Sequence, residues 1–118
     1  MFGFGELGSY TEEKRVEEVQ MTVARITMAE FNSETEADTF EQLYAKIAPP
    51  ALPEAKSLIM IRTGPTSGMS VAIYPDEETA ENTLEARKEM LSQFGDTFKD
   101  IWHMQGDVSL NHFNPQEI

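Results

Sequence analysis

Apolar and polar positions alternate in some stretches of the chain and recur at helical spacing in others, and together they predict six elements. Val23 to Phe31 is rich in apolar and β-branched residues with no glycine or proline, the pattern of a strand. Asn32 ends it, and Ser33-Glu-Thr-Glu36 reads as a capping box opening a helix. Ala37, Phe40, Leu43, Tyr44 and Ile47 form that helix's apolar stripe, opposite Glu34, Asp38, Glu41 and Gln42. Pro49-Pro50 is expected to stop it, with residues 51–55 as a loop. Ser57 to Thr63 is nearly all apolar, as in a strand covered on both faces. A five-residue turn, Gly64 to Gly68, then leads to a strand over Met69–Tyr74. Asp76 is a good N-cap, followed by Glu77 and Glu78 in the first turn. Ala80, Leu84, Arg87, Leu91 and Phe94 share one face of a single long helix, and Gly95 stands where a left-handed residue ends it. The last strand is read over Phe98–Phe113, with Ile101, His103 and Gln105 on one side and Trp102 and Met104 on the other. A bulge or kink is expected at Gly106-Asp107, and Asn114-Pro115 closes the fold.

Residues 1–20 do not match this pattern and are read as an N-terminal arm before a domain spanning 21–118. Glycines punctuate the first eight residues, and Thr11 is a candidate N-cap for one or two helical turns. Alternatively the first strand begins early, since Val19, Met21 and Val23 alternate with polar residues, or Met21 is the genuine start. A mobile arm and an arm packing Phe2, Phe4 and Tyr10 on a partner subunit both stand as readings.

Strand, helix, strand, strand, helix, strand is the split βαβ order. It predicts an α+β fold with a four-stranded antiparallel sheet and two helices on one face. Two helical stripes cover only that face. Leu58, Ile59, Met60, Ile61, Val71, Ala72 and Ile73 cannot all point at helices, so a second apolar sheet face needs cover. A second copy, face to face, is the simplest cover.

Composition narrows the partners. With 21 acidic and 9 basic residues the net charge is −12, a surface that repels nucleic-acid backbones and anionic membranes. No apolar run is long enough to span a bilayer, and no signal-peptide pattern is evident at the N-terminus, so the expected location is cytoplasmic. The absence of cysteine rules out disulfides, thiolate metal sites and a cysteine nucleophile.

In element order, hairpin, the helix after Tyr74-Pro-Asp76 and the long last strand, the chain resembles the dimeric α+β barrel superfamily over Met21–Phe113. That superfamily includes the antibiotic-biosynthesis monooxygenase-like proteins. The resemblance implies paired sheets and a small-molecule pocket between sheet and helices in each subunit. The haem-degrading branch places asparagine on the first strand, tryptophan on the third and histidine on the second helix. Here Asn32 lies beyond the first strand, the third carries Tyr74 but no tryptophan, and Trp102 is on the last strand. Haem degradation is therefore disfavoured, and no cofactor is expected.

Arg87 stands out because it interrupts an apolar stripe. It must reach the rim, pair with a carboxylate such as Glu30, or hold a ligand anion. Arg62 has the same ambiguity at an edge position. His103 and His112 titrate nearest neutrality and are the acid–base candidates, although no metal-binding spacing surrounds them. Tyr44 and Tyr74 are possible pocket donors or core aromatics, and Trp102 is a possible ligand contact. Two functions follow from these residues. One is a homodimeric barrel that binds or converts a small hydrophobic or aromatic anion without a cofactor, in monooxygenase- or isomerase-like fashion, using Arg87 with His103 or Tyr74. The other is a non-enzymatic interaction or assembly protein that uses the sheet face and the arm.

Overall fold

A computed structural model describes residues 22–115, so the arm expected over residues 1–20 lies outside the described residues. The described elements are β1 (Val23–Phe31), α1 (Glu34–Ala51), β2 (Ser57–Gly64), β3 (Ser67–Tyr74), α2 (Glu77–Asn82), α3 (Leu84–Ser92) and β4 (Phe98–Asp107). The sheet runs β2-β3-β1-β4, and every neighbouring pair is antiparallel. This is the ferredoxin-like α+β arrangement that the element order predicts.

Strand parity divides the sheet into two unlike faces. Val23, Arg25, Thr27 and Ala29 of β1 stand in register with Tyr74, Ala72, Ser70 and Gly68 of β3 on the helix side, and Phe31 continues that parity opposite Phe98 of β4. There Phe31, Phe40, Phe94 and Phe98 pack into one aromatic cluster, with Phe40 and Phe94 ring centroids 4.5 Å apart. Ala37, Tyr44, Ala48, Leu52 and Met90 complete the core around it. The opposite face carries Ile26 and Met28 of β1 and Met69, Val71 and Ile73 of β3. Ile59 and Ile61 of β2 and Trp102 and Met104 of β4 extend it. Those last four side chains are 41–51% exposed, so among the described residues β2 is covered on one face only.

Caps form much as their residues dictate. Ser33 Oγ accepts from the Glu36 amide at 3.1 Å, and Asp76 Oδ1 accepts from the Thr79 amide at 2.7 Å. Glu36 Oε1 is buried with no partner among the described residues, so that oxygen does not close the reciprocal half of the capping box. Gly95 takes the left-handed conformation at φ 54°.

Four boundaries differ from the sequence reading. The first helix continues through Pro49 and Pro50 to Ala51. Proline's fixed φ suits a helix, and the amide hydrogens it lacks fall here in the last turn, which Leu52 N–H closes on Ala48 O at 2.9 Å. The hairpin is tighter than five residues: only Pro65 and Thr66 separate β2 from β3. Gly68 belongs to β3 because it packs beneath Phe31, where a Cβ would lie 3.5 Å from the ring and 2.9 Å from Met60 Cε.

The expected single second helix breaks at Thr83 into α2 and α3. Thr83 is buried and its hydroxyl donates to Ala80 O at 2.8 Å, a local bond that competes with the helical ladder. Finally, β4 ends at Asp107, and residues 108–115 carry no regular structure. Its partner β1 runs out at Val23, opposite Asp107, and one further bond, Val108 N–H to Thr22 O at 2.7 Å, ends the pairing. Gly106 pairs regularly with Ala24, so the kink expected there is absent. The irregularity lies at the other end, between Glu30 and Phe31 opposite Phe98–Asp100.

Candidate functional site

Two inward register pairs of β1 and β4 lie beside one side chain from α3. Arg25 and Gln105 are register partners, and Gln105 Oε1 accepts from Arg25 Nε at 3.1 Å and Nη2 at 2.7 Å. Thr27 and His103 are the next inward pair, with Thr27 Oγ1 3.1 Å from His103 Nδ1. Across from them Arg87 Nη2 donates to Thr27 Oγ1 and to His103 Nδ1, the latter at 2.5 Å. Sheet register and one helical position thus bring two guanidinium groups and an imidazole together.

Arg25 is only 6% exposed, with its guanidinium 5.6 Å above the Tyr74 ring, and its buried Nη1 has no partner among the described residues. Tyr74 is fully buried, and its hydroxyl too has no partner among the described residues. Neither arginine forms an ion pair with a carboxylate among the described residues. Two half-compensated cations this close are costly unless an anion joins them. Burial, followed by the charge of Arg25, lowers the Arg87 pKa, yet a guanidinium stays protonated near neutrality. Burial comes first again for His103, and the charges of Arg87 and Arg25 add to it, holding its pKa below the ordinary value. Burial pushes the Tyr44 phenol upward, opposed by the Ser70 hydroxyl and by Arg87.

Two spaces meet at these arginines. Inward lies a mostly apolar cleft lined by Phe40, Tyr44, Met60, Met90, Leu91 and Phe98, with a void of about 20 Å³, room for about one water molecule. Outward lies an open groove of about 500 Å³, with Glu81, Leu84, Lys88, His103, Met104 and Gln105 on its walls. Arg25 and Arg87 line both.

The other sequence candidates lie elsewhere. Arg62 is spent on structure: it pairs with Asp38 at 2.9 Å and Glu41 at 2.8 Å and donates to Gly64 O and Pro65 O, each at 2.7 Å. Arg87 does not pair with Glu30, which occupies the opposite strand parity and accepts from Thr66 Oγ1 at 2.7 Å. Trp102 stands on the open sheet face, across the sheet from Arg87. His112 lies in the irregular segment after β4, 3.0 Å from Asn114 Oδ1. Tyr44 lines the inner cleft, and Tyr74 lies behind Arg25. Sequence reasoning missed Arg25, although its strand parity with Phe31 already marked it as an inward charge.

No family model and no curated protein matches this sequence. Solved structures do resemble it. A dimeric ferredoxin-like protein from an uncultured marine organism superimposes with a TM-score of 0.65 at 11% identity, covering 81% of this chain and 95% of that one. The shared fold is the ferredoxin-like α+β arrangement of a four-stranded antiparallel sheet with helices on one face. SnoaB, a cofactor-independent oxygenase from Streptomyces nogalater, gives a TM-score of 0.60 at 11% identity, covering 76% of this chain and 95% of its own. A monooxygenase of Streptomyces coelicolor, solved with nanaomycin D, gives 0.62 at 11% identity, covering 86% and 98%. Among the described residues no helix of this ferredoxin-like chain is long and apolar enough to cross a membrane.

Proposed function

We propose that the chain is a cytoplasmic homodimer, paired through its open sheet face, whose subunits each bind a small hydrophobic or aromatic anion and convert it by monooxygenase- or isomerase-like chemistry without a cofactor. One observation carries the ligand class. Among the described residues Arg25 and Arg87 lie close together with no carboxylate partner, a buried Arg25 nitrogen has no acceptor, and both line the junction of an apolar cleft and an open groove. A flat apolar body fits the groove, while its oxyanion meets the guanidinium hydrogens. SnoaB and the nanaomycin-bound monooxygenase, which have the same fold, support the reaction class.

Benzoate and its neutral isostere benzamide test the reading by titration calorimetry. Benzoate binds and benzamide does not, and Arg87→Gln weakens benzoate by about tenfold to a hundredfold, the worth of one charge-assisted hydrogen bond. Equal affinities for the two, unchanged in Arg87→Gln, would remove the anion site. The exposed Ile59, Ile61, Trp102 and Met104 favour a second reading, a non-enzymatic interaction or assembly protein that uses this sheet face and the N-terminal arm.

A further inference from the structure

We propose that His103 is held as the neutral imidazole with its proton on Nε2, a fixed hydrogen-bond donor to the groove, and that Arg87 and Thr27 are positioning residues that set this tautomer. The identity of what that N–H meets rests on the anion-site reading above; the tautomer rests on the ring's own contacts.

A guanidinium has five donor hydrogens and no acceptor. With Arg87 Nη2 at 2.5 Å, His103 Nδ1 must therefore present its lone pair. A proton on Nδ1 would set N–H against N–H, and a doubly protonated ring would add a third cation beside Arg25 and Arg87. The neutral ring then carries its hydrogen on Nε2, away from Thr27 and Arg87, on a ring that lines the open groove. The groups around it come from every packed element: Arg25 and Thr27 from β1, Gln105 from β4, Glu81 from α2, and Arg87 and Lys88 from α3. Among the described residues Glu81 is the one carboxylate lining the groove, against three cationic side chains. The downward direction of the His103 pKa agrees with this balance.

The chemical consequence is specific. One ring nitrogen has its lone pair committed to Arg87, and the other already carries a hydrogen. His103 therefore has no lone pair with which to take a proton from a ligand. It orients and stabilises an oxyanion, and the ligand arrives already ionised.

Long-range ¹H–¹⁵N spectra of the ¹⁵N-labelled full chain read the tautomer directly. The expected pattern is Nδ1 unprotonated and Nε2 protonated at neutral pH. Arg87→Gln should give a mixed tautomer and a higher titration midpoint for His103, and Thr27→Val provides a second probe if that variant does not fold. An Nδ1–H ring in the wild-type spectrum overturns the proposal by itself, as does a tautomer indifferent to both substitutions. With 4-nitrophenol as ligand, affinity should rise with pH along the phenol's own ionisation, with no second step belonging to His103. An additional protein step near the histidine range would return His103 to acid–base work and reject the donor role. Failure of 4-nitrophenolate and benzoate to bind, with the Nε2–H tautomer intact, would sink the anion site and leave the His103 assignment standing.

Discussion

Arg25 and Arg87 place positive charge where a leucine or alanine would pack well, in a chain of net charge −12. Arg62 shows the other way to settle a half-buried guanidinium, with two carboxylates and two carbonyls taking its hydrogens. The contrast gives Arg25 and Arg87 their significance. His103 has a measurable thermodynamic signature as well. Its folded-state pKa lies below the ordinary 6.5, so the unfolded chain takes up the proton at higher pH than the folded one does. That contribution to stability is complete above 6.5 and is lost as pH falls through the folded value. Urea unfolding at pH about 7.5 and about 5.5 should show lower stability at the acid end, with a smaller gap in His103→Gln. An identical gap in the variant would mean that other groups carry the whole pH dependence.

At the scale of elements, local chemistry decides some boundaries and packing decides others. Ser33 and Asp76 cap helices as their side-chain oxygens dictate. Pro49 and Pro50 fail to end α1 because only the last turn loses their amides. Thr83 splits the second helical segment through its own side chain, and that signal looked like an ordinary polar position in the sequence. The sequence pattern places Gly68 in the turn, yet it supplies the space that Phe31 and Met60 fill from two other strands. Gly68→Ala should cost about 1–3 kcal/mol in denaturant unfolding, since the new methyl forces the Phe31–Phe40 cluster or the Met60 side chain aside. A change within about 0.5 kcal/mol would show that Met60 moves at little cost.

At the scale of the whole molecule, the described residues leave one apolar sheet face open. Ile59, Ile61, Trp102 and Met104 expose apolar area contiguous with Ile26, Met28, Met69, Val71 and Ile73. Sedimentation or light scattering should give twice the chain mass of 13.3 kDa for the wild type and the single mass for Ile61→Asp. A wild type at the single mass would reject the homodimer, whatever the ligand does.

The sequence by itself determined the element order, the antiparallel four-stranded sheet, the inward and outward sides of the last strand, and Arg87 as an anomaly. Those features follow from periodicity and capping, which act over a few residues. It also marked the surplus of apolar strand positions that leaves one sheet face open. Only the tertiary structure decided which polar groups meet. Arg25 sits beside Gln105 and Thr27 beside His103 because β1 and β4 pair in one register, across about eighty residues of chain. Arg87 faces this group, and not Glu30, because strand parity sends Glu30 to the far side of the sheet. Register and parity between distant strands set that choice, and neither can be read from residues near in sequence.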